Sequence, residues 1–124
     1  MKILSVDDSA IIRKIIRSGV EVLDYELVEA TDGFEALTIL EEAPEEIMLI
    51  LLDWNMPGMD GLVFLEKIKN TEALKHIPVM MVTTESEKEN IIKAIQAGAI
   101  NYLVKPFTIE ELMKKVLECT EGGR

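Results

Sequence analysis

Two hydrophobic periods alternate along the chain, one of about two residues and one of about 3.6. "KILSV" (2–6) is a short apolar run. In "SAIIRKIIRSGVEVL" (9–23), Ile11, Ile12, Ile15, Ile16, Val20 and Leu23 fall at helical spacing, and Gly19 weakens the last turn. "YELVEA" (25–30) reads as a second strand. Asp32 with Glu35 has the form of a capping box opening "GFEALTILEE", and Pro44 follows that helix. "EIMLILLD" (46–53) is apolar almost throughout, as a strand buried on both faces of a parallel sheet would be.

Asp60 and Gly61 precede a helical stretch, "LVFLEKIKN", and "IPVMMVTT" (77–84) is a fourth strand. "EKENIIKAIQAGA" (87–99) reads as a helix that stops at Gly98. "NYLVK" (101–105) is a fifth strand, and Thr108 with Glu111 caps a last helix, "IEELMKKVLEC". Five strands alternating with five helices predict an α/β fold: one open, doubly wound parallel sheet with helices on both faces. A single domain over 1–120 and a flexible tail, "EGGR", over 121–124 are expected.

Composition narrows the function. No apolar run approaches the length of a membrane span, and "MKILSVDDSA" turns acidic too soon for a secretory signal, so a cytoplasmic location is expected. The net charge of −10 gives no attraction to nucleic-acid phosphates. One cysteine, Cys119, excludes a disulfide framework within the chain and reads as a small apolar residue of the last helix. Met48, Met80 and Met81 read as core, His76 as a surface loop residue, and Glu41, Glu42, Glu45 and Glu46 as a solvated face.

In an open parallel sheet, ligands bind beyond the carboxyl ends of the strands. There the chain places Asp7 and Asp8 after strand one, Asp53 after strand three, Thr83 and Thr84 after strand four, and Lys105 with Pro106 after strand five. Each has an ordinary reading alone. Asp7 or Asp8 caps a helix, Asp53 opens a turn before Pro57, Thr83 is a strand threonine and Lys105 a solvated strand end. Together they are chemistry. Three neighbouring carboxylates repel one another, and a divalent cation such as Mg²⁺ removes the conflict while leaving room for a phosphate oxygen. A lysine and a threonine hydroxyl complete a grip on a phosphoryl group.

"VDDS" (6–9), "LLDWNMPGMDG" (51–61), "MMVTTE" (80–85) and "NYLVKPF" (101–107) resemble the receiver domains of two-component response regulators. The likeness spans essentially the whole chain. Within that family it is nearest the stand-alone chemotaxis regulators, through Trp54, Asn55, Met56 and Pro57, "ENII…AGA", and Tyr102. Gly58, Thr84 and Asn101 are small departures from the pattern.

The resemblance implies a flavodoxin-like sheet of order 2-1-3-4-5. It implies that Asp53 accepts a phosphoryl group from a histidine kinase, with Mg²⁺ held by Asp8, Asp53 and the Asn55 backbone carbonyl, and by Asp7 through water. Lys105 would pair with a phosphoryl oxygen, and the Lys105–Pro106 peptide would be cis. Thr83 and Tyr102 would form the switch, with Asn55 and Glu85 tuning self-dephosphorylation. The face of helix four, strand five and helix five would meet an output protein, which for a chemotaxis regulator is the flagellar motor switch. A monomer, with a phosphatase as a further partner, is the expected setting.

Rival readings are a phosphorelay shuttle, a receiver from a larger regulator, and a degenerate receiver acting as a scaffold. A haloacid-dehalogenase-like phosphatase would need a second aspartate two residues after the nucleophile, where this chain has Asn55. A nucleotide carrier would need a phosphate-cradling loop after strand one, where "VDDSA" places anions.

Overall fold

In the computed structural model, which describes residues 1–122, strands and helices alternate along the chain. They are β1 (Lys2–Val6), α1 (Ala10–Val22), β2 (Glu26–Ala30), α2 (Gly33–Glu42), β3 (Ile47–Leu52), α3 (Gly61–Lys69), β4 (Val79–Thr83), α4 (Lys88–Gln96), β5 (Asn101–Val104) and α5 (Ile109–Leu117). A 3-10 turn over Pro44–Glu46 leads into β3, and a π-helical turn over Glu118–Gly122 follows α5. The expected flexible tail begins within that turn, and its residues 123 and 124 lie outside the described residues. No described helix is long and apolar enough to cross a membrane.

The five strands form one parallel sheet in the order β2-β1-β3-β4-β5. Even the near-continuous apolar run of β3 obeys strand alternation. Leu49 and Leu51 pack with Ile16 and Val20 of α1 and Leu112 and Val116 of α5. Ile50 and Leu52 pack with Ala36 and Leu40 of α2 and Phe64 and Ile68 of α3. All twelve of these side chains are buried, and each such leucine or isoleucine contributes ~1.5–3 kcal/mol.

The sequence marks most helix ends. Ser9, Asp32, Asp60 and Thr108 each accept a backbone N–H of the first turn they cap. Thr108 and Glu111 make the full reciprocal box. At α2 the box is only half made: Glu35 reaches past Asp32 to the Thr31 amide, at 2.7 Å. α4 ends at Gly98 (φ 117), where the Gly98 and Ala99 amides return to the Ile95 and Ala94 carbonyls. α1 runs unbroken through Gly19, which gives room to Leu112 of α5: a Cβ there would stand 2.9 Å from Leu112 Cδ2.

Candidate functional site

Strand register sets the acids side by side. Val6 of β1 is level with Leu52 of β3, so Asp7 and Asp53 follow at the same height. The Asp53 amide donates to the Val6 carbonyl at 3.0 Å, and the Asp7 amide to Ala30 at 3.1 Å. Asp8 is the next residue and faces solvent. The structure brings one carboxylate oxygen each from Asp7, Asp8 and Asp53 within 4.8 Å of one another.

Asp7 and Asp53 are buried, at 2% and 6% exposure. Lys105, directly after β5, reaches across to both: Nζ lies 2.7 Å from Asp7 Oδ2 and 3.3 Å from Asp53 Oδ2. The Lys105–Pro106 peptide is cis. The Ser9 amide donates to Asp7 Oδ1 at 2.9 Å, and the Asn55 amide to Asp53 Oδ1 at 3.3 Å. Burial pushes the Asp7 carboxyl above the usual aspartate range, and this outweighs the opposing pull of Lys105 and the Ser9 amide.

Thr83, fully buried at the end of β4, accepts the Glu85 amide on Oγ1 at 3.3 Å. The half-buried Tyr102 points its hydroxyl at the Glu85 backbone carbonyl, donating at 2.7 Å. Burial, with Glu85 and Asp53 adding to it, pushes that hydroxyl up to about 12. The Glu85 carboxylate in turn accepts Asn90 Nδ2 of α4 at 3.1 Å.

Sequence reasoning gave no role to two groups that hold this site. The Gly61 amide donates to the Trp54 carbonyl at 2.6 Å, and a Cβ at Gly61 would run into the Asp53 carbonyl oxygen and, at 2.7 Å, the Trp54 Cα. Only glycine lets α3 begin against the acid strand. The Asp60–Gly61 pair was visible in the sequence, but as a helix start rather than a close approach. Arg13 of α1 donates Nη1 to the Asp7 backbone carbonyl at 2.8 Å, and no local pattern signals that contact.

A doubly wound sheet with acids, lysine and threonine at its carboxyl edge defines the class, and sequence comparison agrees. Residues 3–117 match the response regulator receiver domain, and the chain belongs to that family. Among its relatives is the chemotaxis protein CheY-3 of Vibrio cholerae, 44% identical over 117 residues, covering 94% of this chain and 88% of that protein. Chemotaxis protein CheY1 of Helicobacter pylori is 43% identical over 98% of both chains. Among solved structures, CheY4 of Vibrio cholerae superposes with a TM-score of 0.87 at 36% identity, covering 95% of this chain and 97% of that one. The Mn²⁺-bound form of response regulator Rcp1 does so with a TM-score of 0.79 at 31% identity, covering 94% and 91%. This chain is therefore a receiver domain like those of CheY-type chemotaxis response regulators, which are signalling switches.

Proposed function

We propose that this chain is a phosphoryl-accepting switch in which Asp53 takes the phosphoryl group of a phosphohistidine on a histidine kinase. The observation that carries this reading is the buried Asp53 carboxylate, 3.3 Å from Lys105 and clustered with Asp7 and Asp8.

The donor set suits Mg²⁺, a hard cation that prefers a few carboxylate oxygens. Burial holds the Asp7 carboxyl above its usual range despite a lysine at 2.7 Å, and a cation bound beside it would favour the charged form. Asp8, Asp53 and the Asn55 backbone carbonyl would hold the ion. Asp7, both of whose oxygens already have donors, would act through water. Bound Mg²⁺ supplies charge neutralisation at the phosphoryl oxygens.

The chain does the rest. An Asp53 oxygen forms the O–P bond as the N–P bond of the phosphohistidine breaks, and the imidazole leaves with the electron pair. Lys105 moves its ammonium onto a phosphoryl oxygen, and phosphoryl transfer is largely such positioning. Thr83 then turns its hydroxyl to the phosphoryl group, and Tyr102 swings inward into the space it leaves. Phosphorylation shifts an existing equilibrium by favouring the state with those contacts. Asn55 and Glu85 flank the path of the attacking water and set a lifetime of seconds to minutes.

The α4-β5-α5 face is the output surface. Ile92 and Ile95 of α4 are 44% and 46% exposed, an apolar pair that a partner would cover. A CheA-like histidine kinase as donor, the flagellar motor switch as output partner, a phosphatase, and a cytoplasmic monomer complete the reading. A second reading, a receiver within a larger regulator, draws on a response regulator/GGDEF domain structure, of which this chain covers 50% at 26% identity.

Acetyl phosphate with Mg²⁺ is expected to give a base-labile, hydroxylamine-sensitive phosphoprotein and to change Trp54 fluorescence, with both effects lost in Asp53→Asn. An undiminished response in Asp53→Asn would move the acceptor elsewhere, and a phosphoprotein stable for hours would contradict the roles of Asn55 and Glu85.

A further inference from the structure

Arg13 takes no part in the chemistry above, yet its guanidinium ties three pieces of the molecule together. From the first turns of α1, Nη1 donates to the Asp7 carbonyl at 2.8 Å and Nε to Glu29 Oε1 on β2 at 3.1 Å. The other Glu29 oxygen takes Arg17, through Nε at 3.0 Å and through Nη2. Arg13 and Glu29 are mostly shielded, at 19% and 28% side-chain exposure. Glu29 is thus gripped from two sides and leaves Arg13 little freedom.

The contact falls at a sensitive place. The Asp7 amide, on one flanking peptide, is already pinned by Ala30. The Asp7 carbonyl belongs to the next peptide plane, the one joining Asp7 to Asp8. With Arg13 on that carbonyl, both peptide planes around Asp7 are fixed, and so is the direction in which Asp7 and Asp8 leave the strand. We propose that Arg13, anchored by Glu29, is the positioning residue of the acid site: it holds the Asp7–Asp8 backbone so that the two carboxylates converge with Asp53. This rests on the reading of the cluster as a Mg²⁺ site.

Charge and position make opposite claims about Arg13. A guanidinium near a Mg²⁺ site repels the ion, so removing its charge alone would tighten binding. Removing a backbone anchor would weaken it, and groups that orient ligands are worth about 10–100-fold in metal affinity. Arg17 is the matched control, because it shares Glu29 but does not touch Asp7.

The experiment is a Mg²⁺ titration followed by Trp54 fluorescence in wild type, Arg13→Met, Arg17→Met, Glu29→Gln and the Arg13→Met/Glu29→Gln double variant, each shown folded by circular dichroism. Arg13→Met is expected to bind Mg²⁺ about tenfold more weakly, and Arg17→Met to bind as wild type or tighter. Glu29→Gln is expected to weaken binding alone and to add nothing to Arg13→Met. In metal-free protein, exchange of the Ser9 amide, which rests on Asp7 Oδ1, is expected to quicken in Arg13→Met, in Glu29→Gln and in the double variant, and to stay as wild type in Arg17→Met. Mg²⁺ affinity in Arg13→Met at or above wild type, or an equal loss in Arg17→Met, overturns the proposal. Absence of a saturable wild-type response overturns the metal reading instead, and the Ser9 exchange then decides alone whether Arg13 holds the backbone.

Discussion

Tyr102 carries its position in its titration. The hydroxyl of an open tyrosine ionises near 10, and here burial, with Glu85 and Asp53 in support, raises it to about 12. The folded chain therefore keeps a proton that the unfolded chain has lost. The resulting stability is complete below pH 10 and is lost as pH rises from there toward 12. The tyrosinate absorbance of wild type minus that of Tyr102→Phe is expected to titrate close to pH 12. A midpoint near 10 would mean that the ring spends its time outward, away from the Glu85 carbonyl.

At the scale of elements, α5 has the most complete cap of the molecule. The Thr108 hydroxyl accepts the Glu111 amide at 3.0 Å, and the Glu111 carboxylate accepts the Thr108 amide at 2.8 Å. Thr108→Ala is expected to cost about 1 kcal/mol in urea unfolding, with Thr108→Ser recovering most of it. No loss would mean that α5 is held by Leu112 and Val116 alone. Caps and hydrophobic period were what made the elements legible in the sequence, because both are local. Every strand and helix was found to within a few residues. What escaped is geometry that the residue types do not mark, whether the partner is near in the chain or far. Glu35 passes over Asp32 to Thr31 because the end of β2 offers that amide. Asp24 adopts a left-handed conformation (φ 64) to end α1, a place the sequence does not mark with glycine. Gly61 reads as a helix start until Asp53 is seen above it.

For the molecule as a whole, a ligand that binds only the folded state stabilises it. On the proposed reading, Mg²⁺ at a hundred times its dissociation constant is expected to raise the unfolding free energy by about 2.7 kcal/mol. Urea titrations with and without Mg²⁺ would measure this, and Asp8→Asn is expected to shrink the shift. An undiminished shift in that variant would place the ion away from the acid cluster. The members of the site were legible for a whole-molecule reason. A parallel sheet collects its strand ends at one edge, so residues as distant as Asp7 and Lys105 could be grouped from topology alone. Their distances, and the supports beneath them, required the packed molecule.

The strand order has a further consequence, for assembly. β2, β1 and β3 are neighbours in the sheet and all come from the first 52 residues. A chain that had paired only these strands would already have aligned Asp7, Asp8 and Asp53, three like charges with no lysine among them. Relief comes only when β5, an edge strand and the last made, brings Lys105 to the site. The cation proposed to meet the phosphoryl group is thus also the one whose arrival rewards completing the sheet.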